Sequence, residues 1–373
     1  MKKQNAEDDK NIESENTNLS DGGFLEEHDG VKILYLSGSY YQMGCQHGSL
    51  LKKEIQQNIR AALNFAKNFG ANKDQLKAAW NISKNYVPKE IFDEFKGIAK
   101  GANVSFEELN YINLAPVLVH TDMPTYKQCS GFAAWGPATV DGELVHVISN
   151  DVTLQIKDPV SGRLPQQNQV LVVRNPKGGY TSMYPAHAGY YGWNGINSQA
   201  IGIAMQASWT KSTTYKAVPL KYRTQLALDK ASTAKEALDI IKQNNDLGYN
   251  IIVSDAKDPA AYVLEMNADT NYVGNYDSPT ESNKPFWKID NVIRRHTFYI
   301  SSELAKDQRK YYSPKSLFLM ILGLNMFYPF WRLYLGLSKG IEENYGNLDI
   351  KNSMDVMINA YTVSYTHLTL PTN

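Results

Sequence analysis

Cys129 is the residue in this sequence whose type and setting best suit nucleophilic chemistry. It opens the run at 129–136, whose small and aromatic residues predict a buried strand. The thiolate is the reactive form of cysteine, and a free pKa of about 8.5 leaves few thiolates at neutral pH. A chain-terminal cysteine has its own base, because an α-amino group of pKa about 7.7–8.0 can accept the thiol proton. The alternative is a structural core cysteine, a common buried residue type.

A β-hairpin is the element that must position this cysteine. The first predicted strand ends at residue 136, and an Asp-Gly pair at 141–142 supplies a turn signal before a second strand at 144–149. In an antiparallel hairpin, the start of the first strand lies beside the end of the second. We therefore expect Cys129 and Asp151 to meet at one edge of a sheet.

A resemblance to a known family begins at the same run. Its sequence is Cys-Ser-Gly-Phe-Ala-Ala-Trp-Gly, and with the Asp-Gly turn and the strand ending near Asp151 it looks like the start of the mature chain in the C45 family. These autoproteolytic acyltransferases and hydrolases are related to penicillin acyl-coenzyme A acyltransferase and, more remotely, to bile salt hydrolases. The resemblance covers roughly residues 31–300. It implies an α+β fold, the αββα four-layer sandwich of N-terminal nucleophile hydrolases, and self-cleavage between Gln128 and Cys129.

The resemblance also implies roles for polar residues beyond the first strand. Asp151 would hydrogen-bond the new α-ammonium group of the cysteine. Asn197 matches the family's asparagine beside the nucleophile, with Asn194 as the fallback, and Asn250 matches a second asparagine motif. Their side-chain amides would stabilise the tetrahedral oxyanion. From the residues alone, the segment at 189–203 predicts a strand, a turn and a strand, with the asparagine in an Asx turn.

Two positions depart from the family's pattern. Relatives commonly have an arginine three residues before the aspartate, and this chain has Ile148 before Asp151 there. Since that arginine could tune the thiol or bind an anionic substrate, its absence leaves the substrate class open. Relatives also have Arg-Thr-Asn-His where this chain has 290–297, and only Arg294 aligns cleanly. Arg294 and Trp193 are the remaining predicted substrate-binding residues.

Composition and periodicity divide the chain into four stretches. Residues 1–28 are polar and acidic and are predicted to be a disordered leader. Amphipathic patterns predict a mainly helical pro-segment over 29–128. The catalytic part is predicted to span 129–362. The stretch 363–373 changes character abruptly and resembles adaptor or vector sequence rather than native protein.

Bulk properties exclude several classes of function. Basic and acidic residues are balanced at 38 each, so net charge draws the chain neither to nucleic acid nor to membranes. Cys45 and Cys129 are too few for a disulfide framework, and zinc-type spacings are missing. No cofactor or metal is predicted. The stretch 315–337 is apolar for much of its length, but Pro329 and Arg332 interrupt it, which favours buried or amphipathic helices over a membrane span.

Together these observations predict a self-cleaving cysteine hydrolase that acts on linear amide (N-acyl) bonds through an acyl-thioester. Two alternatives remain open: an acyltransferase that moves the acyl group to an amine, and a catalytically silent member that binds an acyl ligand. Hydrolysis is favoured because water needs no acceptor site. The expected partner is a small-molecule N-acyl substrate, and the oligomeric state is not indicated. No apolar signal-peptide core follows Met1, so the expected location is cytoplasmic.

Overall fold

The computed structural model describes residues 19–68, 71–111, 129–151, 154, 156–308 and 329–366. Within these ranges the chain forms a mixed α+β structure. The strands are β1 (Phe24–His28), β2 (Val31–Gly38), β3 (Ser130–Gly136), β4 (Gly142–Ser149), β5 (Gln169–Pro176), β6 (Ser182–His187), β7 (Gly195–Asn197), β8 (Ile201–Ala207), β9 (Tyr249–Asp255), β10 (Ala260–Met266), β11 (Asn271–Asn275) and β12 (Val292–Arg295). The helices are α1 (Tyr40–Leu50), α2 (Lys52–Asn68), α3 (Lys73–Ser83), α4 (Lys89–Ala102), α5 (Leu220–Lys230), α6 (Ala234–Ile241), α7 (Ser302–Asp307), α8 (Pro329–Glu343) and α9 (Ile350–Thr366).

The strands of the described ranges form two sheets. The larger sheet has nine strands in the order β1-β2-β5-β6-β7-β8-β9-β10-β11, and the smaller sheet has three in the order β12-β3-β4. β2 and β5 run parallel, and the neighbours β8 and β9 run antiparallel. β3, which begins directly after Cys129, is the central strand of the smaller sheet.

The two sheets pack face to face. In β9, Ile251 and Val253 join the core beneath α1, α2, α4, α5 and α6, whereas Ile252 lies between the sheets. In β3, Phe132 packs against α8 and α9, whereas Ala133 faces the larger sheet. This follows because successive residues of a strand point to opposite faces. The layers therefore follow one another as helices, sheet, sheet and helices.

The N-terminal part of the chain departs from the prediction of a disordered leader over 1–28. Residues 24–28 form β1, which pairs antiparallel with β2. The rings of Phe24 and Tyr35 stack across this pair with their centroids 4.4 Å apart. This apolar contact gives β1 a reason to be ordered, whereas residues 1–18 lie outside the described residues.

The predicted pro-segment, 29–128, supplies a strand as well as helices. Helices α1–α4 fall within it, and α2–α4 lie where the amphipathic periodicity predicts helices. β2 also falls within it, and its parallel pairing with β5 makes it an inner strand of the larger sheet. A segment described as mainly helical is therefore part of the same sheet as the predicted catalytic part. Residues 112–128 lie outside the described residues.

Glycines allow α1 and α4 to cross closely. A Cβ atom added at Gly44 would lie 2.0 Å from the backbone oxygen of Glu94. One added at Gly48 would lie 2.4 Å from the backbone oxygen of Ile98. Both distances are far below van der Waals contact, so only glycine fits at these positions. The glycine-rich start of α1 therefore serves packing.

A buried ion cluster joins the N-terminal part to the rest of the chain. Arg174 on β5 donates to Glu94 on α4 at 2.9 Å and to Asp229 on α5 at 3.2 Å, and none of the three side chains is exposed. Tyr191 donates to Glu94, and Tyr40 donates to Asp229. Buried charges are stable only when paired and hydrogen-bonded. The cluster therefore ties α4 firmly to β5 and α5.

The C-terminal helices cover the smaller sheet. Leu337 of α8 and Val356 of α9 pack against Phe132 of β3. Residues up to 328 of the apolar stretch at 315–337 lie outside the described residues, and the remainder begins α8. Among the described helices, none has the length and apolarity needed to cross a bilayer. α9 runs to residue 366, into the stretch predicted to be non-native, and 367–373 lie outside the described residues.

Candidate active site

The β3–β4 hairpin brings Cys129 and Asp151 to one end of the smaller sheet. Ser130, the first residue of β3, pairs with Ser149, the last residue of β4. Cys129 precedes this pair by one residue, and Asp151 follows it by two. The predicted hairpin and the placement of both residues at one sheet edge are therefore confirmed.

The Cys129 side chain is on the face of the smaller sheet that is turned toward the larger sheet. The residue is buried, with 4% of its surface exposed, and no disulfide joins it to Cys45. Strand alternation puts it on the same face as Gly131 and Ala133, and that face is turned toward the larger sheet. Its partner in the predicted cleavage, Gln128, lies outside the described residues.

Tyr361 on α9 is a neighbour of this site that the sequence does not indicate. Its hydroxyl donates to Ser130 Oγ at 3.5 Å. Burial raises the pKa of the phenol, and the negative charges of Asp151 and Cys129 raise it further. A phenol with a raised pKa stays protonated near neutrality, so Tyr361 remains a hydrogen-bond donor beside the start of β3.

Asn194, the fallback asparagine, lies at the same end of the molecule as Cys129. Its Nδ2 donates to the side-chain oxygen of Asn150, the residue before Asp151. Its Oδ1 accepts from the backbone N–H of Met205 at 2.9 Å, and Asn150 Nδ2 donates to the Met205 carbonyl at 3.1 Å. The two asparagines therefore fasten the end of β4 to β8, which positions Asp151 and the opposing Cys129.

Asn197, the first choice from the sequence, is fully committed to a turn. Its Nδ2 donates to the carbonyls of Leu228 and Ala231 at 3.0 and 2.8 Å. Its Oδ1 accepts from the backbone N–H groups of Gln199 and Ile201 at 3.0 and 3.1 Å. This is the Asx turn that the residues alone also predict. Both amide hydrogens of Asn197 are therefore used, and neither is left to donate to an oxyanion.

Asn197 also lies at the end of β8 and β9 that is far from Cys129. β8 and β9 pair along their whole length. Ile201 lies opposite Asp255 at one end, and Gln206 lies opposite Asn250 near the other end. Five residues of strand span about 17 Å. Asn197 lies near the first of these pairs, and the hairpin end with Cys129 lies near the second. The prediction that Asn197 is beside the nucleophile is therefore wrong, because the turn it caps closes the far end of the sheet.

Asn250 lies at the site end, but its amide nitrogen is not available. Nδ2 donates to the carbonyls of His296 and Phe298 at 2.6 and 2.8 Å. These carbonyls belong to the segment that continues from β12 alongside the start of β3. Oδ1 is buried and has no hydrogen-bond partner among the described residues. Asn250 can therefore accept a hydrogen bond from a ligand, whereas the predicted role required it to donate.

Gln206 is the polar residue at the site that sequence analysis missed. It is completely buried, and neither Nε2 nor Oε1 has a hydrogen-bond partner in the described part of the chain. A Cβ atom added at Gly131 would lie 2.6 Å from Gln206 Nε2, so the amide lies against β3 two residues after Cys129. A glutamine inside the apolar strand 201–207 is the sequence signal that could have found it.

Arg294 does not face the space between the sheets. It pairs with Phe132 on β3 and shares the outer face of the smaller sheet. Its Nε donates to Ser338 Oγ at 2.6 Å and its Nη2 to the Trp287 carbonyl at 2.8 Å. The guanidinium also lies over the rings of Trp287 and Tyr334, at 5.2 and 5.0 Å from their centroids. The predicted role in substrate binding is wrong because strand alternation turns this side chain toward α8.

The next residue, Arg295, does face inward but is also committed. Its Nε donates to Glu265 at 2.8 Å, and its Nη1 donates to Glu281 at 2.9 Å. Glu265 accepts in addition from the backbone N–H groups of Ile300 and Ser301. All three charged side chains are buried. This cluster fixes the chain after β12 and commits the Arg295 guanidinium to carboxylates of the fold.

Trp193 precedes Asn194 in the chain, and its ring packs against the core beneath the helices. Its ring lies 4.1 Å from the ammonium nitrogen of Lys221, measured to the ring centroid. The Tyr190 ring lies 4.6 Å from the same nitrogen. Both distances are within the range of cation–π attraction. Trp193 therefore holds a buried lysine, and whether it also touches a substrate stays a prediction.

Acidic, histidine and cysteine side chains are dispersed over the described ranges. No group of three or more of them is arranged to hold a metal ion there.

The sequence is distantly similar to several curated proteins. Protein dcd1B of Dictyostelium discoideum is 24% identical over 285 residues, which cover 67% of this chain and 53% of that protein. An uncharacterized protein of Archaeoglobus fulgidus is 24% identical over 275 residues, covering 64% and 44% respectively. Protein dcd1A of Dictyostelium discoideum is 22% identical over 202 residues, covering 46% and 43%. The chain thus spans about half the length of the curated relatives it matches. No family model matches it.

Two solved structures are similar in fold. One is a mutant of the conjugated bile acid hydrolase from Clostridium perfringens, with a TM-score of 0.38 at 13% identity, covering 62% of this chain and 78% of that chain. The other is penicillin V acylase from Agrobacterium tumefaciens, with a TM-score of 0.30 at 9% identity, covering 65% and 67%. Neither likeness assigns a role to a residue of this chain.

Proposed function

We propose that this chain is a self-cleaving cysteine hydrolase of the N-terminal nucleophile type, with the αββα fold, acting on linear N-acyl amide bonds. The C45-like run at 129–136 motivates the proposal. The observation that supports it most is the setting of Cys129. It lies directly before the central strand of the smaller sheet, with Asp151 beside it and the uncommitted amide of Gln206 on the same face.

Activation begins with an N-to-S acyl shift. The Cys129 sulfur attacks the carbonyl carbon of Gln128, the C–N bond of the peptide breaks, and the nitrogen takes the thiol proton. Water then hydrolyses the thioester, which leaves a carboxylate on Gln128 and a free thiol on Cys129. The result is an α-amino group on the same residue as the sulfur, and its pKa of about 7.7–8.0 suits it to act as base.

Turnover uses that amine twice. It accepts the thiol proton as the sulfur attacks the substrate carbonyl, and it returns a proton to the leaving nitrogen when the C–N bond breaks. The acyl group is then held as a thioester on Cys129 until water releases it. Asp151 holds the ammonium form in place through a charge-assisted hydrogen bond. Asn194 acts through Asn150 by fastening the end of β4, so it is a positioning residue.

The tetrahedral oxyanion needs donors that are not already used. Gln206 Nε2 is such a donor, because it has no partner among the described residues and lies on the face of Cys129. Backbone N–H groups near the start of β3 would complete the site. In better-studied hydrolases one side-chain donor of this kind contributes about 3 kcal/mol of transition-state stabilisation. We assign this part to Gln206 in place of the Asn197 and Asn250 amides.

Intact-mass spectrometry and denaturing electrophoresis of freshly purified protein test the proposal. Cleavage is expected to give fragments of 128 residues and of the remaining 245 of the 373. Cys129→Ala is expected to stay whole. Cys45→Ala is the matched control, since this second buried cysteine lies in α1, and it should be cut like the wild type. A folded wild-type chain that stays intact on long incubation would overturn the mechanism.

A silent member that binds an acyl ligand is the second candidate. Two observations favour it: Ile148 replaces the usual arginine, and Arg294 is held against α8. In that case Cys129 would neither cut the chain nor react with iodoacetamide in the folded protein. Mass mapping of the alkylated cysteines separates the two candidates. Release of free acid rather than an acylated amine from an N-acyl substrate separates hydrolysis from acyl transfer.

A further inference from the structure

Three polar atoms that have no hydrogen-bond partner among the described residues lie on the face of the larger sheet that meets Cys129. They are Nε2 and Oε1 of Gln206 and Oδ1 of Asn250, and both side chains are 0% exposed. Buried amides are almost always hydrogen-bonded, because burying an unpaired donor or acceptor is costly. Uncommitted amide atoms at this depth beside a nucleophile therefore point to a ligand.

Register places these two side chains together. Gln206 on β8 pairs directly with Asn250 on β9, and residues opposite each other in an antiparallel pair project to the same face. Gln206 lies against Gly131 of β3. Asn250 donates to the backbone carbonyls of His296 and Phe298. These residues follow β12, which pairs with β3 in the smaller sheet. The two amides thus lie under the end of the smaller sheet where Cys129 is found.

The orientation of the Asn250 amide is fixed. Its nitrogen has two carbonyl acceptors, at 2.6 and 2.8 Å, so a flipped amide would turn its oxygen against two other oxygens. Oδ1 can therefore only be an acceptor for a ligand. Gln206, with no hydrogen bond from either amide atom to a described residue, offers a donor. One fixed acceptor beside one donor matches a secondary amide, which has an N–H and a C=O.

We propose that Asn250 and Gln206 select secondary amides as substrates of the proposed hydrolase. Gln206 Nε2 donates to the acyl oxygen, and Asn250 Oδ1 accepts from the N–H of the scissile bond. The inference rests on the proposed function and names its substrate class. Esters also have the acyl oxygen but lack the N–H, so an ester leaves Asn250 Oδ1 buried and unpaired. A site built to bind an N–H discriminates strongly against analogues without it.

The test compares a p-nitroanilide with the p-nitrophenyl ester of the same acyl chain, using matured protein whose cleavage has been verified by mass. Asn250→Ser removes the acceptor and should lower kcat/KM for the anilide by about tenfold or more relative to the ester. Asn250→Gln keeps an amide, which can both donate to backbone carbonyls and accept from a ligand, and should retain more of the preference than Asn250→Ser. Gln206→Met should lower kcat/KM for both substrates by a similar factor, about tenfold or more, because both have the acyl oxygen.

Gln199→Met is the matched control, because this glutamine lies in the turn at the far end of β8 and should leave both rates unchanged. An anilide-to-ester ratio that is the same in Asn250→Ser and wild type overturns the assignment of Asn250. The Gln206 side chain has no hydrogen bond within the described part of the chain, so Gln206→Met removes none there. If the Asn250 variants do not fold, unchanged rates in Gln206→Met are enough to overturn the proposal. Failure of the proposed function would be recognised separately, because the mass measurement would then show an uncut wild-type chain before any substrate is added.

Discussion

Asn194 and Asn197 are three residues apart in the chain, yet they stabilise opposite ends of β8. Asn194 bonds to Asn150 and to the backbone of Met205, near the start of β3. Asn197 caps the turn before β8 and bonds to two carbonyls at the end of α5 and just beyond it. The first asparagine therefore positions the candidate site, and the second stabilises the fold.

This difference predicts opposite outcomes for two matched substitutions. Asn194→Ala should lower kcat/KM by about tenfold, the effect of a lost positioning hydrogen bond, with little change in stability. Asn197→Ala should lower the free energy of unfolding by about 3 kcal/mol, since it leaves buried backbone groups unpaired, and change kcat little. Urea unfolding and steady-state kinetics on both variants check this. Loss of activity in a fully stable Asn197→Ala protein would contradict the assignment.

Tyr361→Phe should slow maturation without unfolding the protein. The phenol donates to Ser130 Oγ beside the predicted scissile bond, and losing one such bond corresponds to about a tenfold change in rate. The rate is read from the appearance of the 245-residue fragment with time. Tyr345→Phe is the control, because that hydroxyl donates to the Asp290 carbonyl in an exposed position. Equal cleavage rates in Tyr361→Phe and wild type would exclude a role for this phenol.

The two fragments should stay associated after cleavage. β2 pairs with β5 along six residues, and Arg174 bridges Glu94 to Asp229 in a fully buried site. Gel filtration of the cut protein should therefore give one peak that contains both fragments. Arg174→Met should lower the free energy of unfolding by about 3–5 kcal/mol, because two buried carboxylates lose their cation.

Lys230→Met is the matched control for the buried arginine. Lys230 bridges α5 to Glu90 on α4, the same two helices, but both side chains are partly exposed. An exposed ion pair of this kind contributes less than about 1 kcal/mol. If Lys230→Met lost as much unfolding free energy as Arg174→Met, burial would not explain why the Arg174 bridge contributes more.

Acid should destabilise the fold through its buried histidines. Burial, with a smaller contribution from the Arg174 charge, lowers the pKa of His47 to about 4, and its Nε2 accepts from the Gly189 N–H at 2.9 Å. Between the unfolded pKa of about 6.5 and pH 4, the unfolded chain binds a proton that the folded chain does not. Stability therefore falls as the pH drops through this window, by about 3 kcal/mol for this residue.

His47→Gln should make the unfolding free energy less dependent on pH between 6.5 and 4. Glutamine has an oxygen that can accept from Gly189 and does not titrate in this range. Urea unfolding at several pH values measures the slope, with His28→Gln on the exposed strand β1 as the control. The interpretation fails if both variants keep the wild-type slope.

The hairpin could be predicted from the sequence because its determinants are local. A run of small and aromatic residues, an Asp-Gly pair and a second short strand predict the hairpin of β3 and β4, and with it the approach of Cys129 and Asp151. Helices α2 to α4 could be predicted for the same reason, from periodicity within single segments. The pairing of β2 with β5 could not, because it joins residues more than 130 positions apart.

The sequence by itself determined that a cysteine and an aspartate meet at a sheet edge, and that asparagines would be found near them. Only the tertiary structure decided which amides face the sulfur. Strand alternation turns Arg294 outward and Gln206 inward, and a shift of one residue would exchange such faces. Whether an amide is already used by a turn, as in Asn197, or left uncommitted, as in Gln206, depends on carbonyls and strands distant in the chain. That information exists only once the two sheets have packed.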